Sequence, residues 1–121
     1  NEAFIALLRR HNVALVIADS PGTWPYAEDL TADFVYLRMH GKHAKHKDGY
    51  DEDVLDRIAD RLRIWHEGGE PSDVKRIGGP AHPTPRDIYC IFDNDEKSHS
   101  PLDARRLMAK LGIERDLALD A

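Results

Sequence analysis

Apolar and polar residues alternate along this chain in two periods, and the switches between them mark out its elements. In Glu2–His11, Phe4, Leu7 and Leu8 recur at helical spacing. They predict a helix that stops at Asn12, a residue suited to a left-handed C-cap. The aliphatic run VALVIADS, residues 13–20, predicts a short strand of the kind buried in parallel sheets. PGTWPYAEDL is broken by Pro21, Gly22 and Pro25 and predicts a loop, with one helical turn around Tyr26–Leu30. DFVYLRMH, residues 33–40, predicts a second strand, and GKHAKHKDG, residues 41–49, a loop. Asp51 to His66 forms the longest helical pattern, with Val54, Leu55, Ile58, Ala59, Leu62 and Trp65 as its apolar stripe. Asp51, Glu52 and Asp53 sit at its start, where the helix dipole favours negative charge. The Gly- and Pro-rich stretch 67–85 is long for a connection and predicts a surface-lying or mobile segment. DIYCIFDND, residues 87–95, predicts the third strand. Ser100 as N-cap, Pro101 at the first helical position and Asp103 three residues after the cap announce the last helix. Leu107, Met108 and Leu111 are its stripe, and Gly112 ends it.

Strands without hairpin signals, alternating with helices, imply βαβ units and parallel pairing. The plan repeats three times without sequence self-similarity, and 121 residues suit one domain. The chain opens inside a helical pattern without Met, so it is expected to be part of a longer chain or to lack its true start here. A net charge of −5 argues against a general nucleic-acid binder. The single cysteine, Cys90, excludes an intrachain disulfide framework and makes a reducing cytoplasm the expected location. Its apolar surroundings suggest a packed thiol rather than a nucleophile. No apolar run approaches membrane-span length, so no membrane partner is expected.

The three strand bodies are apolar, and all three carboxyl ends are polar: Asp19-Ser20, Arg38-Met39-His40-Gly41 and Asp93-Asn94-Asp95. Parallel α/β proteins bind ligands beyond those ends. The second strand divides by its period of two. Val35, Leu37 and Met39 form the face suited to helix packing; Phe34, Tyr36, Arg38 and His40 form the other. In a barrel the second set points inward, and a buried Arg38 needs an anionic partner, for which Asp19, Asp93 and Asp95 are the candidates. His40, His43 and His46 with Asp48, and beyond them His99, could ligate a metal. Lys42, Lys45 and Lys47 oppose a cation there, and no tightly bound metal is expected. The same stretch suits an anion, since Gly41 lets the backbone approach closely. Trp65 reads as a packing residue, and Trp24 as packing or a pocket wall.

The stretches VALVIADSPGTWP, TADFVYLRMHG, DGYDEDVLDRIADRLRIW and YCIFDNDEKSHSPLDARRL resemble the carboxyl-terminal part of the domain of unknown function 72 (YecE-like) family. The resemblance covers most of the chain outside the 67–86 connection. It implies an α/β fold in which this chain supplies the last three βα units of a (β/α)₈ TIM-like barrel, with the remainder of the barrel as a partner. It also implies Asp19, Arg38, His40, Gly41, Tyr50, Asn94 and His99 as site positions. The family has no established reaction, so the resemblance implies no substrate and no cofactor.

Two functional expectations follow. In one, a site at the mouth of the barrel hydrolyses or isomerises an anionic, phosphorylated or sugar-like ligand. Arg38 clamps the anion as a bidentate donor, His40 serves as acid and base, and Asp19 or Asp93 orients them. In the other, the chain binds an anionic ligand or a nucleic-acid end without catalysis, attracted by the Lys/His loop 42–47.

Overall fold

The structure, a computed structural model, describes residues 1–18, 27–39, 50–92 and 99–113. Its elements run α1 (Glu2–Arg10), β1 (Ile17–Ala18), β2 (Phe34–Met39), α2 (Glu52–Glu67), β3 (Asp87–Phe92) and α3 (His99–Lys110). The strands form one sheet in the order β1-β2-β3, and both pairings are parallel, as the helix–strand alternation predicts. Ile17 stands opposite Leu37, and β2 and β3 are in register from Phe34–Asp87 to Met39–Phe92.

The period of two in β2 decides which face is buried. Val35, Leu37 and Met39 join Leu55, Ala59, Leu62 and Trp65 of α2 and Leu107 of α3 in the core. Ile88, Cys90 and Phe92 of β3 pack against the same cluster. Cys90 is therefore a packed, half-buried thiol. Phe34, Tyr36 and Arg38, with Tyr89 and Ile91, occupy the opposite face, where no described element covers them. Tyr89 remains 53% exposed, and its ring meets Phe34 edge-on at 5.8 Å.

Several expected elements move. The first strand shrinks from residues 13–20 to Ile17–Ala18 in the described region. The Thr31 hydroxyl explains this: it donates to the Val13 carbonyl at 2.6 Å and accepts from Leu15 N at 2.8 Å. A side chain thereby replaces ladder bonds for residues 13–15. No helical turn forms over residues 27–30. On α1, Ile5 is buried, whereas Phe4 and Leu7 are exposed. The helix faces the body one residue away from the predicted stripe. Asn12 does adopt the predicted left-handed conformation, with φ 55°. Its side chain accepts from Asp33 N at 2.9 Å and donates to the Asp33 carboxylate at 3.2 Å, tying the end of α1 to the start of β2. Val54 lies at the exposed margin of α2. The third strand ends at Phe92, and α3 begins at His99, one residue before the predicted cap.

The amino edge of the sheet holds a polar network that hydrophobic patterning did not predict. Glu28 is fully buried and receives Arg61 Nε at 2.7 Å and Nη2 at 2.8 Å, a bidentate pair. Arg61 also donates to Asp73 at 2.9 Å. The Glu28 hydrogen bonds hold the Arg61 guanidinium even more firmly protonated than usual, outweighing its burial. Arg86 is buried as well, and burial pushes its pKa down. It donates to three backbone carbonyls, Ala32 at 2.9 Å, Thr84 at 3.1 Å and His82 at 2.9 Å.

Two outcomes are expected. Arg61→Met leaves the Glu28 carboxylate buried without its cation and costs about 3–5 kcal/mol, read from denaturant unfolding; a loss within the range of an ordinary surface change contradicts the buried pair. With one sheet face bare and its edges unpaired in the described residues, a solution of the 121-residue chain is expected to be oligomeric or poorly soluble. Light scattering showing a stable monomer rules that out.

Candidate functional site

Parallel pairing brings all three strand ends to one edge of the sheet, the edge where the sequence places its polar residues. Of the predicted site residues, Arg38 and Tyr50 have described surroundings. Asp19, His40, Gly41, Asp93 and Asn94 lie outside the described residues, as do Trp24, His43, His46, Asp48 and Asp95. His99 is the first residue of α3.

Arg38 is the next-to-last residue of β2, paired laterally with Ala18 and Ile91. Strand alternation puts it on the face away from the helices, as predicted. It is exposed rather than buried. Arg38 is therefore not the buried guanidinium that the sequence suggests, because the face that carries it has no covering layer among the described residues. The location at the carboxyl edge stands.

Tyr50 is buried at the same edge, 5% exposed, with its ring edge-on to Phe92 at 5.9 Å. Its main chain is held from both sides. Asp103, 1% exposed, accepts from Tyr50 N with both carboxylate oxygens at 3.3 Å. Arg106 Nη1 donates to the Tyr50 carbonyl at 2.8 Å and to Asp103 at 3.0 Å. The sequence reads Asp103 as a capping-box residue; in the fold its carboxylate fixes the start of the segment leading into α2. Nothing local to Asp103 signals this, since its partner is 53 residues away. Tyr50 thus packs and positions the edge of the sheet.

A charged chain extends the clamp outward between α2 and α3. Arg106 Nη2 reaches Glu52 at 2.5 Å, and Lys110 bridges Glu52 at 2.6 Å and Asp56 at 2.7 Å. Arg63 donates to the Lys110 carbonyl and pairs with Asp60 at 3.2 Å. Hydrogen bonds from Arg106 and then Lys110 pull the Glu52 carboxyl down to about 2. The same contacts raise Arg106, chiefly through Glu52, and Lys110, chiefly through Asp56.

A guanidinium at a strand end is a group that can pair with an anion. Arg38 is exposed near the carboxyl end of β2, and the Tyr50 backbone is held by Asp103 and Arg106. Among the described residues no group of three or more His, Cys, Asp or Glu is placed to hold a metal ion. A groove among the described residues lies elsewhere. It is about 630 Å³, runs between β3 and α3, and is lined by Cys90, Phe92, Leu107, Met108 and Leu111, with neither Arg38 nor Tyr50 on its wall.

The family model described as "Protein of unknown function DUF72" matches residues 1–121, the whole chain. The chain belongs to the DUF72 family. No curated protein and no solved structure matches it. Membership fixes the kinship of this DUF72 chain and assigns no reaction. No helix among its described residues is long and apolar enough to cross a membrane.

The Glu52 contacts give a signed pH dependence. A depressed carboxyl contributes stability that is complete above its ordinary value of 4.5 and is lost as pH falls through about 2. The α2–α3 clamp is therefore expected to survive ordinary acidification and to loosen only between those values. The carboxyl-carbon NMR shift of Glu52 should titrate near 2. A midpoint near 4.5 means that Arg106 and Lys110 do not hold it in solution.

Proposed function

We propose that this DUF72 chain contributes the last three βα units of a (β/α)₈ barrel and binds a small anionic ligand at the carboxyl edge of its strands. Arg38 is the residue that grips the anion. The reading rests on one observation: Arg38 stands on the helix-free face at the carboxyl end of the central strand. The uncovered Phe34–Tyr36 and Tyr89–Ile91 surface supports it, since a barrel interior would occupy that side. A guanidinium suits phosphate or carboxylate because its planar fork stays charged and satisfies two acceptors at once. His40 follows Met39 directly in sequence and would serve as acid and base near neutral pH. Asp19 and Asp93, next in sequence after β1 and β3, would orient it, and Gly41, Asn94 and His99 would complete the ligand contacts. Hydrolysis or isomerisation of a phosphorylated or sugar-like ligand fits these groups, by analogy with barrels in general.

A second reading, binding without catalysis of an anion or nucleic-acid end, draws on Lys42, Lys45 and Lys47. Salt separates the two. Attraction by several lysines falls steeply with ionic strength, and a single bidentate clamp falls less.

The test is a calorimetric titration with inorganic phosphate over a range of salt, on the native chain and on Arg38→Met. The variant is expected to lose binding while its unfolding free energy changes by no more than about 0.5 kcal/mol, because Arg38 is exposed. Undiminished phosphate binding by Arg38→Met removes Arg38 from the site.

A further inference from the structure

The connection between α2 and β3 is the least regular part of the described chain, and it is not loose. It leaves α2 at Gly68, in the left-handed region at φ 105°. A Cβ there would come within 3.0 Å of the Thr84 carbonyl carbon and 3.1 Å of Pro85 N, so the two ends of the segment touch. Just outside that contact, His66 Nδ1 donates to the Arg86 carbonyl at 2.9 Å, and Arg86 N donates to the His66 carbonyl at 3.3 Å. Residues 69–84 therefore form a closed loop whose neck is sealed by its own contacts.

The body of the loop is fastened by two consecutive residues, Glu28 and Asp29. Glu28 accepts from Lys75 N at 3.1 Å, and its own N–H donates to the Lys75 carbonyl at 2.7 Å. Asp29 is 1% exposed and accepts from Ile77 N at 2.9 Å and Gly78 N at 2.8 Å. This carboxylate is held by main-chain N–H groups, which form a small anion nest around it. Arg9 adds a bond to the Gly79 carbonyl at 2.8 Å, and Gly78 rests on Ile5. These fastenings run from side chains or residue 28 to the loop's backbone, Arg61 adds its ion pair with the Asp73 side chain at 2.9 Å, and none belongs to the β2–β3 ladder.

We propose that residues 69–84 are a strap latched across the amino edge of the sheet by Glu28 and Asp29, able to open as a unit while the sheet stays folded. The sealed neck permits this. Releasing the latch need not disturb the α2–β3 junction, so the strap can swing away from Ile5 without unravelling either element. Opening bares the buried side of α1 and withdraws Ala81, which packs against the core. The strap is thus a built-in closure at the edge opposite the proposed ligand site.

Native-state amide exchange on the full chain tests this. In the native chain, Lys75, Ile77 and Gly78 are expected to exchange together and faster than the β2 and β3 ladder amides. Asp29→Asn should speed Ile77 and Gly78 about tenfold further, the cost of weakening charge-assisted bonds, with the ladder unchanged. Strap and ladder amides exchanging at one common rate in the native chain overturns the proposal. Trypsin supplies a second readout that needs no variant. Cleavage beside Lys75 and Arg76 should precede every cut within α1, α2 and α3, and the nicked chain should keep its far-ultraviolet spectrum. Earlier cleavage within one of those helices, or loss of structure on nicking beside Lys75 or Arg76, counts equally against it.

Discussion

Everything in this structure depends on the burial of one face of one strand. β2 is the only described strand with a neighbour on each side, and its odd-numbered residues meet α2 and α3 in the core. Met39 is wholly buried, as is Leu55 facing the same cluster. Because strand side chains alternate, committing Val35, Leu37 and Met39 to the helices sends Phe34, Tyr36 and Arg38 the other way. A one-residue slip would exchange the two sets and bury Arg38 against Trp65 and Leu62. The position of the candidate cation is therefore a by-product of core packing.

The two edges of the sheet are built differently, although each uses buried ionic groups. At the amino edge, Glu28 and Asp29 bind the strap and Arg61, while Arg86 gathers loose carbonyls. These contacts let a long irregular segment lie against an apolar core without stranding its backbone polar groups. At the carboxyl edge, Asp103 and Arg106 grip the backbone N–H and carbonyl of a single residue, Tyr50. Among the described residues, chain closes the amino edge, and the carboxyl edge carries Arg38 and the held Tyr50 backbone.

The helix–strand order, the parallel pairing, the two faces of β2 and the stripe of α2 are legible in the residues alone. These follow from local periodicity, which needs only a residue and its near neighbours. The sequence also put polar residues at every strand end, and the resemblance it carries led to the DUF72 family. The fold supplied the rest. It shortened β1, because Thr31, far along the chain, took the backbone groups of residues 13–15. It left Arg38 exposed, because exposure depends on what lies across the sheet and not on the strand that bears the residue. It turned Glu28, Asp29, Arg61 and Asp103 into buried fastenings, and it made an ordered strap of a Gly- and Pro-rich stretch that reads as mobile. A charged residue looks the same in sequence whether it faces water or a partner 33 or 53 residues away. Only the fold brings such partners together, and the cost of burying either one alone keeps them there.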